Sequence, residues 1–200
     1  MSPRKYDLRL RLAAAEEARR RIVEATAALH AQHGAVGTSH AMIAQEAGVS
    51  LPTVYKYFPT RDDLIPACTG LVASRAPLAL DERLFDGLRQ VPERVRALAL
   101  ALFRLHEYFA PWLRWTEADA ASIPALREYL EAGRKARLEL VRLALRPEGH
   151  RSPPEPLVLM ADVLLDYPSW RALAAETKNS ERAAAIVADA ILTLVRPRRG

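Results

Sequence analysis

Two hundred residues at 22.2 kDa, half of them apolar and 26% charged with only 8 glycines, describe a globular chain with a core to bury and exclude a disordered, collagen-like or low-complexity one. The longest uncharged apolar run is the seven residues Ala97–Phe103, far short of the ~20 a membrane span needs, and the charged opening leads into no apolar stretch; no membrane partner is expected, and a cytoplasmic location is. The net charge of +5 favours an anionic partner, and the single cysteine, Cys68, excludes an internal disulfide and any multi-cysteine metal site.

Residues 1–21 hold Arg4, Lys5, Arg9, Arg11, Arg19, Arg20 and Arg21 against Asp7, Glu16 and Glu17. Such a basic arm can hold a phosphate backbone or simply be a solvated tail, and residues 1–18 are set apart as an arm. The rest reads as helical throughout. Ala, Leu, Arg and Glu dominate, apolar residues recur every three or four positions, and prolines punctuate the chain. The expected helices run approximately over 14–33, 39–47, 51–57, 61–76, 81–90, 92–109, 117–146, 155–176 and 180–195. The fold class is all-α: short helices in a compact N-terminal module (19–60), a connecting helix (61–76) and a bundle of longer helices (77–200).

The stretch 38–58 carries the chemistry. Thr38 or Ser39 can cap a first helix, and Ala44 is small where a second helix must cross closely. Gly48 falls where the first helix must end in a left-handed conformation. Val49 and Val54 turn inward with Ile43, while Ser50 caps a second helix that tolerates Pro52 in its first turn. A helix, a Gly-containing turn and a capped second helix form a helix-turn-helix, whose second helix enters the DNA major groove. Leu51, Pro52 and Thr53 then stand where base edges are read, with Lys56 one turn on. Tyr55 and Tyr57 offer hydroxyls to phosphates, and the helix N-terminus itself attracts phosphate.

On these residues the chain resembles the TetR family of bacterial transcriptional regulators. The resemblance covers 19–65 and rests on Arg21–Leu29, Thr38-Ser39, Ile43-Ala44, Ala47-Gly48-Val49-Ser50, Thr53-Val54-Tyr55, Tyr57-Phe58 and Arg61-Asp62-Asp63-Leu64; it is weak in the C-terminal half. It implies Thr38, Ser39, Tyr55, Tyr57 and Arg61 on phosphates and Ser50, Leu51, Pro52, Thr53 and Lys56 in the groove, Lys56 being the leading base contact. It also implies a homodimer paired through the last two helices, a repressor's action on a palindromic operator, and release when an effector shifts the helix 61–76. Two departures stand out: His30 and Ala35 occupy positions where the family usually places aromatics, so the core there should be thinner, with Val36 as the candidate filler. Pro66 inside the fourth helix should kink it or shorten its first turn.

In the second half, Leu157, Met160, Leu164, Leu173, Ile186, Val187, Ala190, Ile191 and Leu194 either pair subunits or close the chain's own core. Phe103, His106, Phe109, Trp112, Trp115, Tyr129 and Trp170 either wall a pocket for an apolar or aromatic effector or are ordinary core. The Arg134–Arg146 stretch reads as a solvated face with helical ion pairs, and 196–200 as a frayed tail. No phosphate-binding loop, dinucleotide turn or nucleophile elbow is present, and His30, His33 and His40 lack a ligand complement. No catalysis, metal or cofactor is expected. A second class of function stays open: a helical adaptor or small-molecule carrier whose N-terminal module binds protein.

Overall fold

In the computed structural model the backbone is described for residues 3–146 and 152–195, and side chains from residue 9 onward within those ranges. Among the described residues there are nine α-helices and no strand: α1 Pro3–His33, α2 His40–Ala47, α3 Leu51–Tyr57, α4 Arg61–Ser74, α5 Val91–Ala120, α6 Pro124–Leu145, α7 Glu155–Leu164, α8 Tyr167–Thr177 and α9 Ser180–Val195. The tail 196–200 lies outside the described residues.

The chain divides into two compact units, Met1–Arg75 with Pro111–Tyr129 and Ala76–Ala110 with Leu130–Gly200. The first is built on α1, whose Ile22, Ala25 and Leu29 recur at helical spacing and pack with Ile43, Ala44, Val54, Phe58 and Leu64 from α2, α3, α4 and the turn between the last two. Thr60 starts α4 with a capping box: its hydroxyl accepts from the Asp63 N–H and the Asp63 carboxylate accepts from the Thr60 N–H. Pro66 leaves α4 unbroken.

The space beside His30 and Ala35 is filled from far along the chain. Val36 is 43% exposed and fills nothing. Instead the indole N–H groups of Trp112 and Trp115 donate to the carbonyls of Ala27 (2.9 Å) and Ala31 (3.2 Å), and the Asp119 carboxylate accepts from the Ala35 N–H at 2.6 Å. These contacts cover the last turns of α1: they satisfy the Ala31 carbonyl and the Ala35 amide, which the helix end leaves open, and add a donor to the Ala27 carbonyl inside the helix. Gly34, at φ 73°, is required here, since a Cβ would stand 2.7 Å from the Asp119 carboxylate.

The second unit packs Leu98, Ala99 and Phe103 of α5 against Val141 of α6, Val158 and Ala161 of α7, and Ala183, Val187 and Ile191 of α9. His106 donates through Nε2 to the Leu165 carbonyl (2.9 Å), and the Trp170 indole donates to the Ser180 hydroxyl (3.0 Å).

Several helix boundaries differ from the sequence expectation, each for a physical reason. α1 begins at Pro3 rather than near 14, so the supposed arm is helical. α5 runs through Pro111 to Ala120. A proline inside a helix costs about 3 kcal/mol, and here its neighbours offset it: Leu102, Phe103 and His106 pack in one unit, Trp112 and Trp115 in the other. The segment 81–90 forms only a single 3₁₀ turn, Glu82–Phe85, followed by Gly87 at φ 77°. The expected helix 155–176 breaks at Leu165–Asp166, where Asp166 starts α8 in an extended conformation and Pro168 has no N–H to continue α7.

Arg137 is largely buried and departs from the expected solvated face, whereas Arg134 is exposed as expected. Arg137 bonds Asp162 at 2.7 Å and Asp166 at 2.9 Å, and Arg134 reaches Asp162 at 3.2 Å, joining α6 to α7. Arg142 does pair with Glu139 along its own helix, as expected.

Candidate nucleic-acid interface

Ser39 precedes α2 in an extended conformation, and its hydroxyl accepts from the Met42 N–H at 3.2 Å. Thr38 does a different job: it is buried, and its hydroxyl donates to the Gly34 carbonyl at 2.7 Å, so it braces the preceding turn from behind. Gly48 ends α2 at φ 62°, ψ 40°, and the Val49 N–H returns to the Ala44 carbonyl at 3.0 Å. The Arg21 guanidinium of α1 occupies the room beside it, donating to the carbonyls of Ala47 and Gly48. A Cβ on Gly48 would lie 2.4 Å from that guanidinium. Gly48→Ala is therefore expected to cost about 1–2 kcal/mol from the left-handed backbone alone, and more through displacement of Arg21; urea unfolding of the two proteins measures it.

The turn delivers the chain into α3. Ser50 occupies the cap position but its hydroxyl does not cap: it is hydrogen-bonded to the Thr53 hydroxyl at 2.7 Å, and Pro52 removes one of the two N–H groups it could have served. Fully buried Val54 fixes the helix to the core, so the rest of its surface turns outward. Leu51, Pro52, Tyr55 and Lys56 are exposed, and Thr53 and Tyr57 are half-buried. The Lys56 ammonium lies 5.5 Å from the Tyr57 ring centroid. Arg61 is exposed at the start of α4.

His40 is the residue sequence reasoning missed. Its ring stacks on Tyr55 with centroids 4.5 Å apart and planes 6° off parallel, and its Nε2 donates to the Phe58 carbonyl at 2.9 Å. It thus orders the Tyr55 ring and closes the end of α3. The signal was available only as a histidine opening α2; the sequence weighed it solely as a metal ligand. Among the described residues no three His, Cys, Asp or Glu side chains gather into a metal site. Cys68 is buried, and burial pushes its thiol up to about 12, leaving it unreactive at neutral pH.

The seven aromatic residues expected around an effector divide between the units. Phe103, His106 and Trp170 come together in the second, His106 lying 6.0 Å from Phe103, 6.3 Å from Trp170 and 6.0 Å from Tyr167, which itself stacks on Trp170 at 5.4 Å; Phe109 packs edge-on with Tyr108 instead. Trp112, Trp115 and Tyr129 belong to the first unit, where the two indoles are committed to α1 and Tyr129 is exposed.

A capped helix, a glycine-closed turn and a second helix anchored by one valine with its polar face outward define a helix-turn-helix domain of the class that reads DNA. The comparisons with known proteins agree. The model of the "Bacterial regulatory proteins, tetR family" matches residues 22–68. The chain is similar in structure to a TetR-family transcriptional regulator from Rhodococcus sp. (21% identity, 90% of this chain and 100% of that one, TM-score 0.61). It is also similar to a fatty acid metabolism regulator of Clostridium perfringens (16%, 86% and 97%, TM-score 0.60) and to the TetR-like regulator LfrR of Mycobacterium smegmatis, solved with proflavine (23%, 90% and 97%, TM-score 0.55). A search of curated proteins finds no match. The chain therefore has the fold and the N-terminal domain of a TetR-family transcriptional regulator.

Proposed function

We propose that the protein is a ligand-responsive, sequence-specific DNA-binding repressor that acts as a homodimer on a near-palindromic operator. The observation that carries this reading is α3 itself, held by Val54 and presenting Leu51, Pro52, Thr53, Tyr55 and Lys56 together on an outward face. Ser39, Tyr57 and Arg61 flank that face as phosphate contacts. One seven-residue helix reads too few bases to be selective, so two copies are needed. Exposed apolar residues on α7 (Leu159, Met160, Val163) and α9 (Ile186, Leu194) support pairing there. The aromatic group Phe103, His106, Tyr167 and Trp170 supports an apolar or aromatic effector in the second unit, and the proflavine bound to LfrR is of that kind. Release then follows if the effector-bound form spaces the two α3 helices off the ~34 Å half-site repeat.

The two roles of the reading surface separate by mutation. Lys56→Ala is expected to relax base preference at one position per half-site at a cost of about 1–3 kcal/mol on the preferred base, whereas Tyr57→Phe, which keeps the ring on the core, weakens all sequences alike. Anisotropy titrations on a selected duplex and a scrambled one distinguish them; equal losses on both duplexes for both variants would refute the assignment.

A further inference from the structure

The His40 imidazole has one committed nitrogen and one open one. Its Nε2 meets the Phe58 carbonyl at 2.9 Å, and a carbonyl only accepts, so Nε2 carries the proton. In the neutral ring that leaves Nδ1 as a bare acceptor, and it makes no hydrogen bond among the described residues. The ring is half-buried at the first position of α2, directly after Ser39. Its face lies flat on the Tyr55 ring, 4.5 Å away and 6° off parallel. Tyr55 is itself 49% exposed, so this imidazole stands at the surface that the reading above turns toward DNA.

The surroundings of the ring suit its charged form. The Phe58 carbonyl takes the Nε2 proton in either state, and the Tyr55 face attracts a cation more than a neutral ring. α4 presents Asp63, whose carboxyl is held below the usual range chiefly by the Thr60 hydroxyl and amide and in smaller part by the charge of His40. The other charges of these elements are engaged elsewhere. Asp62 accepts from the Ala125 N–H (3.0 Å), Arg61 acts on His30, and Lys56 of α3 lies 5.5 Å from the Tyr57 ring. On α1, Arg21 serves the Gly48 turn, and Arg19 lies 5.7 Å from the Phe58 ring centroid with Glu16 at 4.0 Å. Arg19 therefore opposes a charge on His40, partly offset by its own carboxylate.

The protonation of Nδ1 decides what the ring can touch. Phosphate oxygens only accept, so a neutral imidazole sets lone pair against lone pair, whereas an imidazolium donates to them. Histidine is the side chain whose charge changes between pH 5 and 8, so both forms are within reach near neutrality. We propose that DNA binding charges His40: each subunit takes up one proton at Nδ1 on the duplex and donates it to a phosphate oxygen, while the same ring holds Tyr55 in place. This rests on the DNA-binding reading above and adds the proton to it as a second ligand, so that the duplex is held more tightly as the pH falls. The coupling is reciprocal: the duplex retains the proton as the proton retains the duplex. Phosphates carry no sequence, so the effect is the same on any duplex.

The test titrates a duplex selected from a random library at pH 7, and a scrambled duplex of equal length, at fixed salt from pH 6 to 8.5. Three full-length proteins are compared: the unaltered chain, His40→Phe, which keeps a ring on Tyr55 but takes no proton, and His40→Gln, which keeps a donor for the Phe58 carbonyl without a ring. For the unaltered protein, affinity at pH 6 is expected to exceed that at pH 8.5 about tenfold per subunit on both duplexes, with a slope no steeper than about one proton per subunit. Both variants lose that gain. At pH 8.5 His40→Phe binds as the unaltered protein does, and His40→Gln, which no longer holds Tyr55, binds more weakly. A merely structural role would instead lower affinity equally at every pH. Parallel profiles in all three proteins overturn the proposal and leave the helix-turn-helix reading intact. So does affinity for the selected duplex that rises with pH in the unaltered protein alone, which would assign Nδ1 to a base amine. The imidazole resonances of the unaltered protein, free and with the duplex, decide the point even where a variant does not fold: His40 should keep its proton to higher pH in the complex, and an unmoved titration overturns the proposal. Binding of neither duplex at any pH would remove the DNA-binding reading itself, and the proposal with it.

Discussion

Lowering the pH from 7 to 4 is expected to destabilise the N-terminal unit by about 3 kcal/mol, and His30→Phe is expected to abolish most of that loss. His30 is 6% exposed and its Nε2 has no hydrogen-bond partner. Burial holds its pKa down to about 4; Arg61 acts in the same direction and the Asp119 carboxylate opposes both. In the unfolded chain the group titrates near 6.5. Above that value both states are neutral and the stability is complete. As the pH falls from about 6.5 toward 4, the unfolded chain takes up a proton that the folded chain refuses, and stability drops by about 1.4 kcal/mol per pH unit across the window. Burial likewise lowers the pKa of His106 in the other unit, so the variant is needed to isolate His30. Phenylalanine fills the same place without the orphaned nitrogen, so stability at pH 7 should hold or rise. Urea unfolding at pH 7 and 4.5 followed by tryptophan fluorescence tests this, and identical pH dependence in the two proteins would contradict it.

Asp162→Ala is expected to cost the second unit about 3–5 kcal/mol. The carboxylate is 2% exposed and is satisfied only by Arg137 and Arg134 among the described contacts; Arg137 is itself largely buried. Removing it leaves the Arg137 guanidinium with Asp166 alone and a small cavity between α6 and α7. Asp162→Asn keeps the shape and one acceptor and should lose less. The pair is costly to break rather than a large net gain, so replacing Asp162 and Arg137 together by Leu and Met should recover much of the loss. Thermal unfolding of the three variants measures the ordering; a single Ala variant as stable as the parent would show the pair to be idle.

What could be read from the sequence was the part built by local rules. Ser39, Gly48 and Val54 each answer a requirement set within a few residues, and the helix-turn-helix was visible because its caps, turn and anchor lie within twenty positions. The parts that escaped depend on contacts distant in sequence. Nothing near His30 and Ala35 announces that Trp112, Trp115 and Asp119 cover them, and nothing near Pro111 shows that packing on both sides will carry a helix through it. Phe103, His106, Phe109, Trp112 and Trp115 looked like one cluster because they are close in sequence; the change of unit at Pro111 separates them. Ser50 was read as a cap because it holds the cap position, and only the Thr53 hydroxyl nearby decides otherwise. Arg21 looked like arm charge and proves to be a clasp on the Gly48 turn.

The measurement that tests the central claim most directly is selection of random duplexes by the purified full-length protein, followed by titration of the enriched sequence at several salt concentrations. The account predicts an enriched near-palindrome bound by two subunits, with half-sites about one helical turn apart and affinity falling steeply with salt. No enrichment together with a flat salt response would contradict it and would make the N-terminal module a protein-binding surface instead.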